Sequence, residues 1–270
     1  MDVGGVETGT IDLARYLVRK GHKAIVISGG GRLVKELDKI GARHYTLPVG
    51  KKSIFSVIKM IRMVSDIIRN EDIDIVHVRS RVPAFIAYIA CKITNRVFLT
   101  TAHGYYKKHL LSKVMSWGRF VIVPSNIIAK HMASDFGVPY DRIRFIPRGV
   151  DLSRFKFRNP GTYHPKGFTV GMVSRITPLK GHSFFIKAVS LLCKNIPNLK
   201  VIIVGSAAKD KYMGDLEMLT RRLGLTKTVE FLSAREDVPS IMHELDCLVS
   251  ATITPEAFGR AIVEAQASGV

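Results

Sequence analysis

The chain has 270 residues, of which 47% are hydrophobic and 23% are charged, and its formal net charge is +19. A chain of this length and composition buries a substantial core and is typical of two domains. It contains no uncharged apolar run of the about 18 residues that a transmembrane helix needs, and it does not begin with the basic and apolar segments of a signal peptide.

Strand-like and helix-like segments alternate along the chain, which predicts an α/β fold with parallel sheets. In the first half, the predicted strands are 23–28, 73–78, 97–101 and 120–124, and the predicted helices are 8–20, 53–70, 83–94 and 126–136. In the second half, the predicted strands are 168–173, 199–205, 229–232 and 247–250. The predicted helices there are 183–194, 215–223, 238–244 and 259–268.

A segment rich in Pro and Gly, residues 158–166, lies between the two alternating halves and is predicted to be an interdomain linker. The predicted domains are therefore residues 1–157 and 167–270. Ligands of parallel sheets bind beyond the carboxyl ends of the strands. The sequence thus predicts a site at these strand ends, in a cleft between the two domains.

Basic residues are concentrated in the first half, where Lys and Arg outnumber Asp and Glu by 25 to 11 in residues 1–150, against 16 to 11 in residues 151–270. This charge favours an anionic partner, such as nucleic acid, anionic lipid or a phosphorylated acceptor. No helix-turn-helix, zinc finger or stacking-aromatic motif accompanies it, so nucleic acid is the weakest of these interpretations. The basic, amphipathic helix 53–70 either packs on a sheet with a solvated charged face or also contacts a membrane.

The cysteines are Cys91, Cys193 and Cys247. They are far apart and odd in number, and they lack the paired spacing of a zinc site or a disulfide framework. They therefore indicate reduced residues in a cytoplasmic protein.

Two carboxylates, Glu256 and Glu264, are eight positions apart on either side of a Phe-Gly turn and a predicted helix start. At about 1.5 Å rise per residue they could lie roughly 12 Å apart, beyond the about 5–9.5 Å of two carboxylates that flank one glycosidic bond. The free N–H groups and the positive dipole end of the helix suit a phosphate. The spacing fits a nucleotide-sugar, although the spacing alone equally fits two solvated glutamates.

Three further motifs contain residue types that bind phosphate or sugar. Arg175 and Lys180 follow a predicted strand, where a guanidinium fork and an ammonium can converge on one diphosphate, or can be two ordinary surface cations. His103 ends a strand within Thr-x-His-Gly and is either a site residue or a structural histidine. Gly4 and Gly5 either let backbone amides approach a ligand or form an ordinary tight turn.

These motifs, in this order, resemble the signature of the retaining glycosyltransferases of the GT-B fold, in the "glycosyl transferases group 1" family. The resemblance rests on the Gly-Gly loop, T-x-H-G, I-P-x-G-V-D at 146–151, G-x3-R-x4-K-G at 171–181 and P-E-x-F-G-x4-E-A at 255–265. It implies two Rossmann-like parallel-sheet domains that face each other across a cleft. Arg148 stands where the family usually has Asn, so no ligand contact is predicted for it.

By position, the resemblance implies roles for individual residues. Glu256 would contact the hydroxyls of the donor sugar, and Glu264 would contact the ribose of the nucleotide. His103 would position the sugar and stabilise charge at the anomeric centre. Gly5 would let the backbone approach the donor.

The resemblance also implies how the diphosphate is held. Backbone amides around Phe258, Gly259 and Arg260 would lie near it, and Arg175 and Lys180 would neutralise its charge as the sugar bond breaks. We therefore predict no metal and no cofactor, with the nucleotide-diphosphate sugar as substrate.

The predicted function is transfer of a hexose-type sugar from such a donor to a glycan or lipid-linked acceptor, with retention of configuration, in bacterial cell-surface polysaccharide or lipopolysaccharide synthesis. The predicted location is the cytoplasm, with peripheral attachment to the inner face of the plasma membrane through the basic first half. There are three alternatives. The first is a GT-B nucleotide-sugar epimerase or a phosphorylase, the second is an inactive nucleotide-sugar-binding remnant, and the third is a nucleic-acid-binding protein. The family has a strand before the Gly-Gly loop and continues beyond residue 270, so truncation at both ends is expected.

Overall fold

The computed structural model describes residues 5–49, 54–159, 167–235 and 237–270. The chain divides into two compact units, Met1–Arg148 and Gly149–Val270. All paired strands in the described residues are parallel, as predicted for an α/β fold. Residues 160–166 of the predicted linker, and Gly4 of the Gly-Gly loop, lie outside the described residues.

The first unit contains two parallel sheets. Its helices are α1 (Gly5–Arg19), α2 (Val34–Lys39), α3 (Ile54–Asn70), α4 (Arg81–Thr94), α5 (Leu110–Lys113) and α6 (Asn126–Phe136). Its strands are β1 (Ile25–Ser28), β2 (Arg43–Thr46), β3 (Ile75–Val78), β4 (Val97–Thr101), β5 (Val121–Val123) and β6 (Ile143–Phe145). Strands β1 and β2 form a two-stranded sheet, and the other strands form a four-stranded sheet in the order β3-β4-β5-β6.

One buried carboxylate connects elements of the first unit that are distant in sequence. Glu71, which follows α3, forms ion pairs with Lys23, at 2.9 Å, and with Arg43 of β2. It also accepts a hydrogen bond from the Tyr45 hydroxyl. The hydrogen bonds from Lys23 and Tyr45 lower the pKa of Glu71 to about 2. The small sheet is thereby joined to the segment that leads from α3 into β3.

The second unit contains one four-stranded sheet. Its strands are β7 (Thr169–Val173), β8 (Lys200–Val204), β9 (Val229–Leu232) and β10 (Cys247–Leu248), in the order β10-β7-β8-β9. Its helices are α7 (His182–Leu192), α8 (Asp210–Arg222), α9 (Val238–Glu244) and α10 (Arg260–Ser268). Alternate residues of β8 pack into different core clusters, Val201 and Ile203 into one, Ile202 and Val204 into the other. The sheet therefore has a covered core on each face, as parallel sheets require.

The division between the units comes earlier than the predicted end of the first domain at residue 157. Residues that precede this position already belong to the core of the second unit. The Phe155 side chain is 3% exposed and packs in the cluster that contains Ile202 and Val204. The Arg158 amide donates to the Ser268 carbonyl at 3.0 Å. Because the Phe155 side chain is buried in the core of this sheet, its segment belongs to the second unit.

Four short elements of the first unit were not predicted: α2, β2, α5 and β6. Strands β2 and β6 each pair with a single neighbour, β1 and β5, so they lie at sheet edges. Both contain an arginine, and they lack the continuous apolar pattern of a buried strand. Helix α5 has four residues, too few to show a helical period. Among the described helices, none is both long and apolar enough to cross a lipid bilayer.

The Phe155→Ala substitution tests where the second unit begins. We expect it to lower the free energy of unfolding of the second unit by roughly 3–5 kcal/mol, because it leaves a cavity in the core. Phe157→Ala is the matched control, since that side chain is 69% exposed, and we expect a change of about 0.5 kcal/mol or less. Urea unfolding of both variants measures the difference. Equal unfolding midpoints for the two variants would contradict this assignment.

Candidate functional site

The two predicted motifs of the second unit meet at Lys180 and Glu256. After β7, the chain forms a one-turn 3-10 helix, Pro178–Lys180, before α7 begins. The Lys180 ammonium donates a hydrogen bond to the Glu256 carboxylate and forms an ion pair with it. The Thr252 hydroxyl donates to the same carboxylate oxygen, Oε2, at 3.2 Å. An acid and a base separated by 76 positions are thus in direct contact.

A glycine allows this contact. Gly181, directly after Lys180, has a φ of +75°, and a Cβ at this position would lie 1.9 Å from the carbonyl oxygen of Ala251. The Ile253 amide donates to the Leu179 carbonyl at 3.1 Å. The backbone of the Lys180 turn is therefore held against the loop that leads to Glu256. A residue with a Cβ would separate the two segments.

Helix α10 begins as predicted after a Phe-Gly turn. Gly259 has a φ of +75°, and its carbonyl accepts from the amides of Ile262 and Val263 at 2.9 and 3.4 Å. Within the helix, Arg260 Nε donates to Glu264 Oε1 at 2.6 Å. Glu264 is 8% exposed. Its carboxylate is thus oriented by a cation one helical turn earlier.

Arg175 is exposed, two residues after the end of β7. Its neighbours are well anchored, because the Ile176 amide donates to the Ser206 carbonyl at 2.9 Å and Gly205 lies against the Ser174 carbonyl. Within the described part of the chain, the Arg175 side chain forms no hydrogen bond or ion pair. Its role toward a diphosphate, like those of Phe258, Gly259 and Arg260, stays a prediction.

In the first unit, the predicted residues His103 and Gly5 are linked by Arg148. The Arg148 guanidinium donates to His103 Nδ1 through one Nη atom and to the Gly5 carbonyl through the other, at 2.8 Å. The His103 amide donates to the Tyr106 hydroxyl at 3.0 Å, and the Tyr106 amide donates to His131 Nε2 at 3.0 Å. The loop after β4 is thereby fixed around the imidazole. The sequence assigned no contact to Arg148, although a cation in place of the usual Asn was a visible signal.

Two histidines of the first unit, His103 and His77, have lowered pKa values. Burial, followed by the positive charges of Arg79 and Arg148 and by His77, lowers the pKa of His103 to about 2. Burial and Arg79 lower the pKa of His77 to about 4, and His77 Nε2 is 2.6 Å from the Thr101 hydroxyl. Near pH 7, His103 therefore acts as a neutral hydrogen-bonding group. It is not a source of positive charge.

The structure therefore brings the predicted residues together within each unit: Lys180 with Glu256, Arg260 with Glu264, and His103 with Gly5. Among the residues that the structure describes, no group of three or more His, Cys, Asp or Glu could hold a metal ion. The predicted independence of metal and cofactor stays a prediction.

Comparison with protein families gives two matches that together cover nearly the whole chain. Residues 3–154 match the model of Glycosyltransferase Family 4, and residues 153–270 match that of Glycosyl transferases group 1. A solved glycosyltransferase from Rickettsia africae is 33% identical, with a TM-score of 0.84 over 99% of this chain and 75% of that one. These similarities confirm the family resemblance and the predicted GT-B fold class.

Two curated relatives act on lipid acceptors according to their names. The phosphatidylinositol N-acetylglucosaminyltransferase gpi3 subunit of Schizosaccharomyces pombe is 25% identical, with 99% of this chain and 62% of the relative covered. The UDP-Gal:alpha-D-GlcNAc-diphosphoundecaprenol alpha-1,3-galactosyltransferase of Escherichia coli is 26% identical, with 91% and 69% covered. The chain thus spans less than two thirds of the yeast relative's length and slightly more than two thirds of the bacterial relative's.

Gly181→Ala tests the close approach that sets the Lys180–Glu256 contact. We expect a loss of roughly 2 kcal/mol or more in the free energy of unfolding, because of the clash with Ala251 and the left-handed backbone. Gly214→Ala is the control, since Gly214 lies inside α8 with open space around its Cβ position, and we expect a gain of about 0.5–1 kcal/mol. Chemical denaturation measures the two changes in the free energy of unfolding, which should have opposite signs. A Gly181→Ala variant as stable as the parent would refute the constraint.

Proposed function

The chain belongs to the Family 4 and group 1 glycosyltransferases, and from this membership we propose that it transfers a hexose-type sugar from a nucleotide-diphosphate sugar to a glycan or lipid-linked acceptor. The observation that carries the donor assignment is the contact between Lys180 and Glu256. In the donor, the sugar and the diphosphate share one bond. A group that binds sugar hydroxyls and a group that binds the adjacent phosphate must therefore be neighbours, as these two side chains are.

In this proposal, Glu256 accepts hydrogen bonds from the sugar hydroxyls, while Lys180 and Arg175 bind the diphosphate. The start of α10, with its positive dipole end, attracts the same phosphates. Glu264 binds the ribose hydroxyls, with its carboxylate held by Arg260 at 2.6 Å. His103 of the first unit donates a hydrogen bond to the sugar.

We propose that configuration is retained without a covalent enzyme intermediate. The acceptor oxygen forms its bond to the anomeric carbon on the face from which the phosphate oxygen leaves, and the acceptor hydroxyl proton passes to that phosphate oxygen. The products are the glycosylated acceptor and the nucleoside diphosphate. Arg175 and Lys180 stabilise the negative charge that develops on the leaving group, which is the task of a metal ion in other transferases. Transfer in excess EDTA at the rate seen without it is the expected result.

The proposed acceptor is lipid-linked and lies at the inner face of a bacterial membrane, with the protein peripheral and cytoplasmic. Two features support this. The two curated relatives are named for lipid acceptors. In addition, α3 has an exposed face with Phe55 at 87% and Ile58 at 50% exposure beside the exposed cations Lys59 and Arg62. These residues follow helical spacing, so apolar groups and positive charges face the same direction. Synthesis of a cell-surface polysaccharide or lipopolysaccharide would use such an acceptor.

The donor roles are tested with Glu256→Gln and Glu264→Gln. A thermal-shift panel of UDP-, GDP- and ADP-sugars first identifies the nucleotide. We expect Glu264→Gln to weaken binding of the free nucleoside diphosphate about tenfold, because a charged hydrogen bond to ribose is lost. We expect Glu256→Gln to change that affinity by about twofold or less and to lower the transfer rate about 100-fold, because it contacts the sugar alone. Calorimetric titration and a transfer assay measure the two effects.

Glu217→Gln is the matched control, since Glu217 lies on the exposed side of α8, and it should affect neither quantity. Equal effects of the two test substitutions on nucleotide affinity would remove the proposed division of roles. Binding without turnover in the parent protein would instead favour an inactive nucleotide-sugar-binding protein. Turnover of the donor without acceptor would favour an epimerase.

Membrane attachment is tested by flotation with vesicles that contain anionic lipid. We expect binding at low salt that weakens at high salt, because the attraction is electrostatic, and a reduction by Phe55→Ser. Phe184→Ser is the matched control, since Phe184 is a 60% exposed aromatic residue near a lysine on a helix of the second unit. No flotation of the parent protein at low salt would eliminate the membrane proposal.

A further inference from the structure

Arg148 links three separate segments of the first unit, its own and two others. It follows β6, and its guanidinium donates to His103 in the loop after β4 and to the Gly5 carbonyl at the start of α1. The sequence predicted no ligand contact for Arg148 and did not indicate that it contacts His103. A hydrogen-bond donor that contacts one ring nitrogen of a histidine determines which of the two nitrogens carries the proton.

A guanidinium has five N–H donors and no acceptor, and it stays protonated in proteins. His103 Nδ1 can therefore meet it only as a lone-pair acceptor. In a neutral imidazole, the proton must then lie on the other nitrogen, Nε2. A protonated imidazole would place an N–H against the N–H of Arg148, and a second positive charge beside the first.

His103 Nε2 is buried and has no hydrogen-bond partner among the residues that the structure describes. A buried N–H without an acceptor costs about 1–3 kcal/mol, so such groups are normally paired. The chemistry that fits a neutral, buried N–H donor is an uncharged oxygen, such as a sugar hydroxyl, and the proposed donor supplies one.

We propose that Arg148 is a positioning residue that fixes His103 as the Nε2–H tautomer, so that this nitrogen donates to a hydroxyl of the bound sugar. The inference deepens the proposed function and rests on it for the identity of the acceptor oxygen. The tautomer itself follows from the hydrogen bond alone. An Asn at position 148 could not fix it, because an amide can present either its oxygen or its nitrogen to Nδ1.

The groups around the imidazole act in the same direction. Arg79, Arg148 and His77 each oppose a positive charge on His103, and burial opposes it most. Tyr106 accepts from the His103 backbone amide through its hydroxyl and leaves the ring unaffected. The expected state is a single neutral tautomer across the pH range in which histidine normally titrates.

The test is NMR of protein labelled with ¹⁵N-histidine, in which His103 is assigned by its loss in His103→Gln. In the parent protein we expect a protonated Nε2 and an unprotonated Nδ1 from about pH 5 to about pH 8. Arg148→Lys should keep this pattern, because an ammonium also only donates. Arg148→Met should give a mixture of tautomers and lower the transfer kcat/KM about tenfold, the value of roughly one hydrogen bond.

A proton on Nδ1 in the parent protein would overturn the proposal without any variant, as would an Arg148→Met spectrum identical to that of the parent. The His131 signals report folding, since this buried ring is held by Asp135 and by the Tyr106 amide, and they should be unchanged in a folded variant. If the parent shows the expected tautomer but binds no nucleotide-sugar, the proposed function fails while the assignment of the tautomer stands. If the parent protein binds a nucleotide-sugar but His103 carries its proton on Nδ1, the assignment of the tautomer fails while the proposed function stands.

Discussion

The close approach of two loops in the second unit determines where Lys180 and Glu256 lie. The turn after β7 and the loop after β10 touch through backbone atoms at Gly181 and Ala251, and the ion pair between Lys180 and Glu256 follows from this contact. The two loops lie close together because β7 and its neighbour β10 are parallel, so that their carboxyl ends lie at the same edge of the sheet. The geometry of the candidate site thus depends on the absence of a Cβ at Gly181.

The sequence predicts the buried elements well and the exposed ones poorly. Strand β4 and helices α6 and α9 have the predicted bounds, since apolar runs and helical periods reflect burial directly. Strands β2 and β6 were not predicted because an edge strand can be polar. The boundary near Arg148 could not be deduced either: the burial of Phe155 depends on side chains such as Ile202 and Met242 that are distant in sequence.

Among the site residues, the sequence identified types and spacings, but it did not identify partners. Glu256 and Lys180 were each predicted to bind a different part of one ligand, and the structure adds that they bind each other. His103 was predicted as a site residue, whereas its attachment to Arg148 depends on the spatial proximity of positions 45 apart. A lone histidine has two tautomers with opposite hydrogen-bonding patterns, and only its neighbours decide between them.

Glu71 is surrounded by hydrogen-bond donors, which restricts the type of side chain that suits this position. Lys23, Arg43 and Tyr45 all present hydrogens to one carboxylate. Glutamine has nearly the same shape, but its amide nitrogen would direct two hydrogens toward the Lys23 ammonium or the Arg43 guanidinium, neither of which has an acceptor. Aspartate is shorter by one methylene and could not reach all three partners from the same backbone. At the junction between the small sheet and the rest of the first unit, a glutamate therefore accepts from all three donors at once.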